Sequence, residues 1–193
     1  RDFQVIAVEP NDAMRKNGIL RTEKYKKVAW YEGTGENSGQ QSSFFDIVTF
    51  GSSFNVCNRS EALKETARIL KPNGWFVCMW NNRNLEDEIQ SNIESIIKNT
   101  VPKYNYGTRR ETQTEIINSC KLFDSVIHVS SNVWHQQNIN ECIEAWKSHA
   151  TLERQTGTKF KKVISDIEEY LNNLNKSIID IPYTTNIWIA QLL

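Results

Sequence analysis

The chain has 193 residues, the length of one ordinary domain, and its 23 basic and 23 acidic side chains leave it with no formal net charge. This neutrality argues against recognition of nucleic acid or of an anionic membrane through bulk charge, because binding phosphates requires clustered lysine and arginine. No apolar run approaches the roughly 20 residues of a membrane span. The four cysteines form no CxxC pair, which argues against a zinc ribbon or a thioredoxin-like site, and we expect reduced thiols in a cytoplasmic protein.

Apolar runs rich in β-branched residues predict strands in the first half of the chain, at residues 5–8, 47–50 and 75–80. Such runs are typical of strands buried on both faces of a parallel sheet. One helix is predicted to begin near Asn11 and end near Gly18. A second begins with the capping-box-like pair Asn58 and Glu61 and ends at a turn over 72–74. Strands that alternate with helices predict the α/β class.

The second half carries weaker patterns. Amphipathic stripes predict helices at 85–97, 139–146 and 160–174, and strands are predicted over 123–133 and around Ile187 and Ile189. Thr112 and Glu115 form a pair that is expected to cap the start of a short helix. We expect a single domain over residues 1–193, with a variable lid or substrate region at about 84–183.

Three segments together resemble the class I S-adenosylmethionine-dependent methyltransferases, in particular the small-molecule branch with the methyltransferase-11 pattern. They are VIAVEPNDAM at 5–14, FFDIVTF at 44–50 and EALKETARILKPNG at 61–74, in the order and spacing of that family. The resemblance implies a Rossmann-like, doubly wound, mostly parallel sheet with an antiparallel C-terminal strand. It also implies S-adenosylmethionine as cofactor, with S-adenosylhomocysteine as product.

Glu9 directly follows the first predicted strand, and the resemblance implies that its carboxylate binds the cofactor ribose. A carboxylate at the carboxyl end of a parallel strand can accept hydrogen bonds from both ribose hydroxyls, although a Glu that merely caps the next helix is the alternative. The loop at 33–36 resembles the family's adenine loop, with a surface turn as its alternative. The cofactor-binding residues implied in this way are Glu9, Pro10, Met14, Gly35, Glu36, Gly51 and Ser52.

The acceptor is expected beyond the fourth and fifth strands of the family order. The residues implied there are Phe54, Asn55, Trp80, Asn81, Arg83 and Tyr104, with Tyr106 and Arg109 as further candidates. Trp80 has packing in the core as its alternative, and Arg83 has a surface ion pair with Glu86 or Asp87. His135 is a possible base or a structural residue. No catalytic residue and no metal site are assigned.

The family's first strand and its glycine-rich turn have no counterpart in the chain, because Gly33, Gly35 and Gly39 have a different spacing. We therefore expect the methyltransferase domain to be incomplete at its N-terminus. Methyl transfer to a small-molecule acceptor is the expected function, and a homodimer is possible. A non-catalytic methyltransferase-like module for binding or dimerisation is the alternative. A nicotinamide-dependent dehydrogenase fits the pattern less well.

Overall fold

The computed structural model describes residues 2–193, in which strands and helices alternate through the first half of the chain. The strands are β1 (Val5–Val8), β2 (Val28–Tyr31), β3 (Phe45–Gly51), β4 (Leu70–Arg83), β5 (Ile127–Asn138) and β6 (Ile178–Gln191). The helices are α1 (Asp12–Thr22), α2 (Arg59–Ile69), α3 (Glu88–Thr100), α4 (Thr114–Ser119), α5 (Ile139–Lys147), α6 (Ala150–Thr156) and α7 (Phe160–Asn172). The predicted α/β class is confirmed.

The strands form two sheets. One consists of the parallel pair β1 and β2, and the other has the order β3-β4-β6-β5, in which β3 and β4 are parallel. Leu192 N–H donates to the carbonyl of Gly74, and Asn84 N–H donates to that of Pro182, as expected for antiparallel partners. The predicted mostly parallel sheet with an antiparallel C-terminal strand is therefore confirmed.

Within residues 2–193, β1 pairs with β2 alone and β3 pairs with β4 alone, so each of these strands keeps one unpaired edge. Strands β1 and β3 correspond to the second and fourth strands of the family that the sequence resembles, and that resemblance places the first strand, which has no counterpart in the chain, beside both. Val5 is 44% exposed and Ile47 is 49% exposed. The expectation that both strands are buried on both faces was wrong, because among residues 2–193 no strand lies along the second edge of either to cover their side chains.

Helix α1 continues through Gly18 to Thr22, so the predicted end at Gly18 was wrong. The glycine lies against the indole of Trp30 on β2, and its role is to allow this close approach. Trp30 Nε1 donates to the Thr22 hydroxyl at 2.9 Å, and this hydroxyl donates to the carbonyl of Gly18 at 2.8 Å. The last turn of α1 therefore packs against Trp30 of β2.

Helix starts were predicted with mixed success. Asn58 caps α2, since its side chain accepts a hydrogen bond from Glu61 N–H. The capping pair expected at Thr112 and Glu115 is wrong, because α4 has Gln113 at its N-cap with no side-chain hydrogen bond there. The Thr112 hydroxyl instead accepts from the nearby Thr114 N–H.

Two strand boundaries also differ from expectation. The strand predicted over 123–133 runs from Ile127 to Asn138, and Phe123 forms only an isolated antiparallel bridge with Leu192. The expected turn at 72–74 lies inside β4, as an irregularity between the pairs Phe45–Leu70 and Ile47–Trp75. Asn73 adopts a left-handed conformation there, with φ of 61°.

The chain divides into two units. The first consists of the chain up to Met79 with Thr112–Val129 and Ile187–Leu193, and the second of Trp80–Glu111 with Ser130–Asn186. In the first unit, the rings of Phe50, Phe54, Phe76 and Phe123 pack with centroid separations of 5.3–5.9 Å. The core of the second unit comes from α3, α5, α6 and α7 together with the first half of β6. None of the helices in the described part of the chain is long and apolar enough to cross a membrane.

Candidate functional site

The carboxyl ends of β1, β2 and β3 lie close together in the first unit. Glu9 N–H donates to the carbonyl of Tyr31, which holds the ends of β1 and β2 side by side. The loop after β2 then touches both sheets: Gly33 lies against the side chain of Val8, and Gly35 lies against Phe50 at the end of β3. A Cβ on Gly35 would lie 2.6 Å from the sulfur of Cys57, so only glycine fits this approach. Open α/β sheets bind ligands at such an edge.

Glu9 is partly exposed at this edge. One of its carboxylate oxygens, Oε1, accepts a hydrogen bond from Asn11 N–H at 2.8 Å. Asn11 in turn caps α1 by accepting from Met14 N–H at 3.0 Å. Among residues 2–193, nothing donates a hydrogen bond to Oε2 of Glu9. The hydrogen bond at the start of α1 thus occupies Oε1 of Glu9 and leaves Oε2 for a ligand.

The remaining short segments at this edge are open to solvent. Pro10 and Met14 are exposed, and Met14 has 61% of its surface accessible. A Cβ built on Gly51 would meet no atom within 4 Å, which shows open space beside the end of β3. Ser52 follows in a left-handed conformation, with φ of 57°, and its N–H donates to the carbonyl of Met79.

Glu36 has a clear partner in the protein. Its carboxylate accepts a hydrogen bond from the N–H of Asn58 at 2.5 Å, at the residue that caps α2. Burial would raise the pKa of Glu36, but the hydrogen bonds from Asn58, from its own N–H and from Thr34 together lower it. Glu36 therefore connects the loop after β2 to the start of α2, and its assignment to the cofactor stays a prediction.

A second connection between this loop and α2 was missed from the sequence. The Glu65 carboxylate accepts hydrogen bonds from the N–H and the hydroxyl of Ser38, at 2.9 and 2.5 Å, and two from Arg68. The guanidinium of Arg68 beside it, together with Ser38, lowers the pKa of Glu65 to about 2 although burial opposes the shift. The Glu–Arg spacing of three residues was a visible helix signal. The partnership with Ser38, 27 residues away, had no signal in the sequence.

Three of the predicted acceptor residues are enclosed by protein. Phe54 has no exposed surface and packs against Phe50 and Phe76 in the first unit. Trp80 is 1% exposed and Tyr104 is 4% exposed. Trp80 therefore lies in the core, which was the alternative to a role in substrate binding. Asn55, on the 3-10 turn Phe54–Val56, is partly exposed.

Trp80, Asn81, Arg83 and Tyr104 all belong to the second unit, whereas the predicted cofactor residues belong to the first. The guanidinium of Arg83 lies 4.1 Å from the ring centroid of Trp146, and it forms none of the ion pairs found in the described residues. The expected partner Asp87 instead caps α3 by accepting from Gln90 N–H. His135 is exposed on β5.

Comparison with known proteins identifies the architecture. Residues 1–78 match the family described as methyltransferase domain. A protein from Anaeromyxobacter dehalogenans assigned as a type II methyltransferase has a similar structure, with a TM-score of 0.62 and 11% identity over 98% of this chain and 81% of its own. A protein from Bacillus halodurans, also assigned as a methyltransferase, aligns with a TM-score of 0.54 and 11% identity over 96% of this chain and 81% of its own.

A third similar structure was solved with ligands. Phosphoethanolamine N-methyltransferase 2 of Haemonchus contortus, in complex with phosphomonomethylethanolamine and S-adenosylhomocysteine, aligns with a TM-score of 0.51. Its identity is 14%, and the alignment covers 98% of this chain and 43% of that protein. Comparison with curated proteins finds no match.

Proposed function

We infer that this chain, a member of the class I methyltransferases by fold and by the sequence of residues 1–78, transfers a methyl group from S-adenosylmethionine to a small-molecule acceptor. The observation that carries the proposal is the meeting of three strand ends around Glu9, Gly35 and Gly51. Ligands of open α/β sheets bind at the carboxyl ends of the strands. The Haemonchus contortus enzyme, which was solved with the small molecule phosphomonomethylethanolamine bound, supports an acceptor of similar size.

The residues at this edge fit an adenosine. Oε2 of Glu9 is left to accept a hydrogen bond from a ribose hydroxyl, while Asn11 N–H holds Oε1 in place. The open space beside Gly51 and the exposure of Ser52 allow a ligand to approach the end of β3 closely. When bound, S-adenosylmethionine supplies a methyl group already activated by the sulfonium. The protein's part is then to align the acceptor with it and to exclude water.

The test is a calorimetric titration of S-adenosylhomocysteine into the chain and into its Glu9→Ala variant. We expect the variant to bind on the order of tenfold more weakly, because a charge-assisted hydrogen bond to ribose is lost. Glu23→Ala is the matched control, since Glu23 is exposed just after α1 and should leave the affinity unchanged. Equal affinity of all three proteins would contradict the ribose assignment.

The same titration separates the enzyme from the alternative. It should be repeated on the longest product that the gene encodes, to learn whether binding needs residues before Arg1. Binding to either protein supports the methyltransferase. If both proteins are folded and neither binds, the non-catalytic module becomes the better interpretation.

A further inference from the structure

The second unit contains a group of side chains that we call the arginine–aromatic cluster: Arg83, Arg109, Tyr104, Trp146 and His149. The guanidinium of Arg83 lies 4.1 Å from the ring centroid of Trp146, and its Nε donates to the hydroxyl of Tyr183 at 3.3 Å. The imidazole of His149 is stacked on the same indole, with ring centroids 5.3 Å apart. Aromatic contacts of this kind fix the position of a guanidinium without neutralising its charge.

Three hydrogen-bond donors of the cluster are buried without a partner. They are the hydroxyl of Tyr104, Nε of Arg109 and Nε1 of Trp146, none of which meets an acceptor within residues 2–193. Tyr104 is only 4% exposed, so its hydroxyl lies inside the unit rather than at the surface. An unpaired buried donor costs free energy, and native proteins rarely leave several in one place. What the cluster lacks is an acceptor.

The charges of the cluster are also one-sided. In the part of the chain that the structure describes, neither Arg83 nor Arg109 forms an ion pair with a carboxylate, and Arg109 donates only to the carbonyl of Asn81. The nearby carboxylate of Glu94 is already engaged, because it accepts from the Tyr106 hydroxyl at 2.6 Å and pairs with Lys98 at 3.0 Å. A half-buried pair of guanidiniums without an acid is an unfavourable arrangement unless an anion joins it.

His149 adds no compensating negative charge and stays neutral. Burial, and then the charges of Arg83 and Arg109, lower its pKa to about 4. Its Nδ1 accepts a hydrogen bond from Leu152 N–H at 3.2 Å, so the proton of the neutral ring is on Nε2. Burial, and then repulsion from Arg83 and Arg110, lower the pKa of Arg109 in the same way. The charges of Arg83 and Arg109 thus act on His149 and Tyr104, and the carboxylate of Glu94 also acts on Tyr104.

We propose that the arginine–aromatic cluster binds an oxyanion group, a carboxylate or a phosphate, carried by a small molecule. The fork of a guanidinium matches such a group geometrically, and the unpaired Tyr104 hydroxyl and Trp146 N–H can donate to its oxygens.

The experiment measures anion binding without any cofactor. Succinate and inorganic phosphate are titrated separately into the full chain by calorimetry, against sodium chloride of equal ionic strength. Arg109→Gln should weaken binding by about tenfold or more, since a charged donor is lost, and Tyr104→Phe should weaken it by about three- to tenfold. Tyr104→Phe removes a single oxygen atom and keeps the packing, so it still tests the proposal if Arg109→Gln does not fold.

Matched controls come from the same unit. Arg154→Gln changes an exposed arginine of α6, and Tyr170→Phe removes a hydroxyl that accepts only from Asn92, so both should bind like the unchanged protein. Binding of succinate alone, phosphate alone or both supports the proposal and identifies the oxyanion. Absence of binding by either anion, or equal binding by cluster variants and controls, overturns it. Because S-adenosylhomocysteine is absent, this result is independent of the cofactor titration.

Discussion

Gly18 shows that a packing contact can require glycine at a helix position where its helix propensity is unfavourable. It lies in the interior of α1, where glycine is unfavourable by about 1 kcal/mol relative to alanine. A Cβ at this position would lie 2.3 Å from carbon atoms of the Trp30 indole. The hydrogen bond from Trp30 to Thr22 holds that ring in place. Close packing between α1 and β2 therefore accounts for the glycine.

Gly18→Ala is expected to lower the free energy of unfolding by about 1–3 kcal/mol, because overpacking outweighs the gain in helix propensity. Asn17→Ala is the control, since Asn17 is exposed in the same helix and should gain slightly from alanine. Urea unfolding followed by circular dichroism measures both. A Gly18→Ala protein as stable as Asn17→Ala would show that Trp30 moves aside freely.

At the scale of elements, sequence patterns correctly predicted those strands and helix starts that depend on contacts between residues close in the chain. The apolar runs at 5–8 and 47–50 became strands, and Asn58 began a helix, because these features depend on neighbours in sequence. The end of α1 was missed because the contact with Trp30 comes from the next strand. The link from Ser38 to Glu65 was missed for the same reason, since nothing in a polar loop indicates the helix on which it folds.

Glu65→Gln is expected to lower the free energy of unfolding by about 1–3 kcal/mol at neutral pH, since two donors of Ser38 and the guanidinium of Arg68 lose their carboxylate. The pKa of Glu65 falls from 4.5 to about 2 on folding, so its contribution is present above pH 4.5 and is lost as the pH falls toward 2. The variant should therefore lose less stability on acidification than the unchanged protein.

Glu61→Gln is the control for this change, because Glu61 lies on the same helix and pairs with Lys64 at an exposed position. Such a surface pair contributes little to stability. Thermal unfolding between pH 7 and pH 3 distinguishes the two variants. Parallel curves for Glu65→Gln and Glu61→Gln would argue against the special role of Glu65.

At the scale of the whole molecule, the family pattern predicted the class of fold and the strand ends that meet at the candidate site. It did not predict how the chain divides, because the division at Met79 and Trp80 falls inside the continuous strand β4. The arginine–aromatic cluster was only partly visible. Arg83, Tyr104 and Arg109 were named from their position, but Trp146 and His149 come from helices whose packing leaves no local signature.

The open edge of β3 is expected to promote association between copies of the chain at high concentration, because unpaired strands with exposed apolar side chains pair with one another. Ile47→Lys should reduce this association in analytical ultracentrifugation without lowering stability, since Ile47 is half exposed. Val56→Lys is the control, since Val56 is exposed on the 3-10 turn Phe54–Val56 and lies on no strand edge. An equal effect of both variants would show that the edge of β3 is not special.

The separate pairing of β1 with β2 bears on how cooperatively the chain unfolds. In the described part of the chain, the segment β1-α1-β2 shares no strand ladder with the other sheet, and neither β1 nor α1 contains a fully buried residue. Segments with few buried contacts open at a lower free energy than the global transition. Glu9 directly follows β1, so a ligand held by Glu9 would stabilise this segment against local opening, and part of its binding energy would be spent on that ordering.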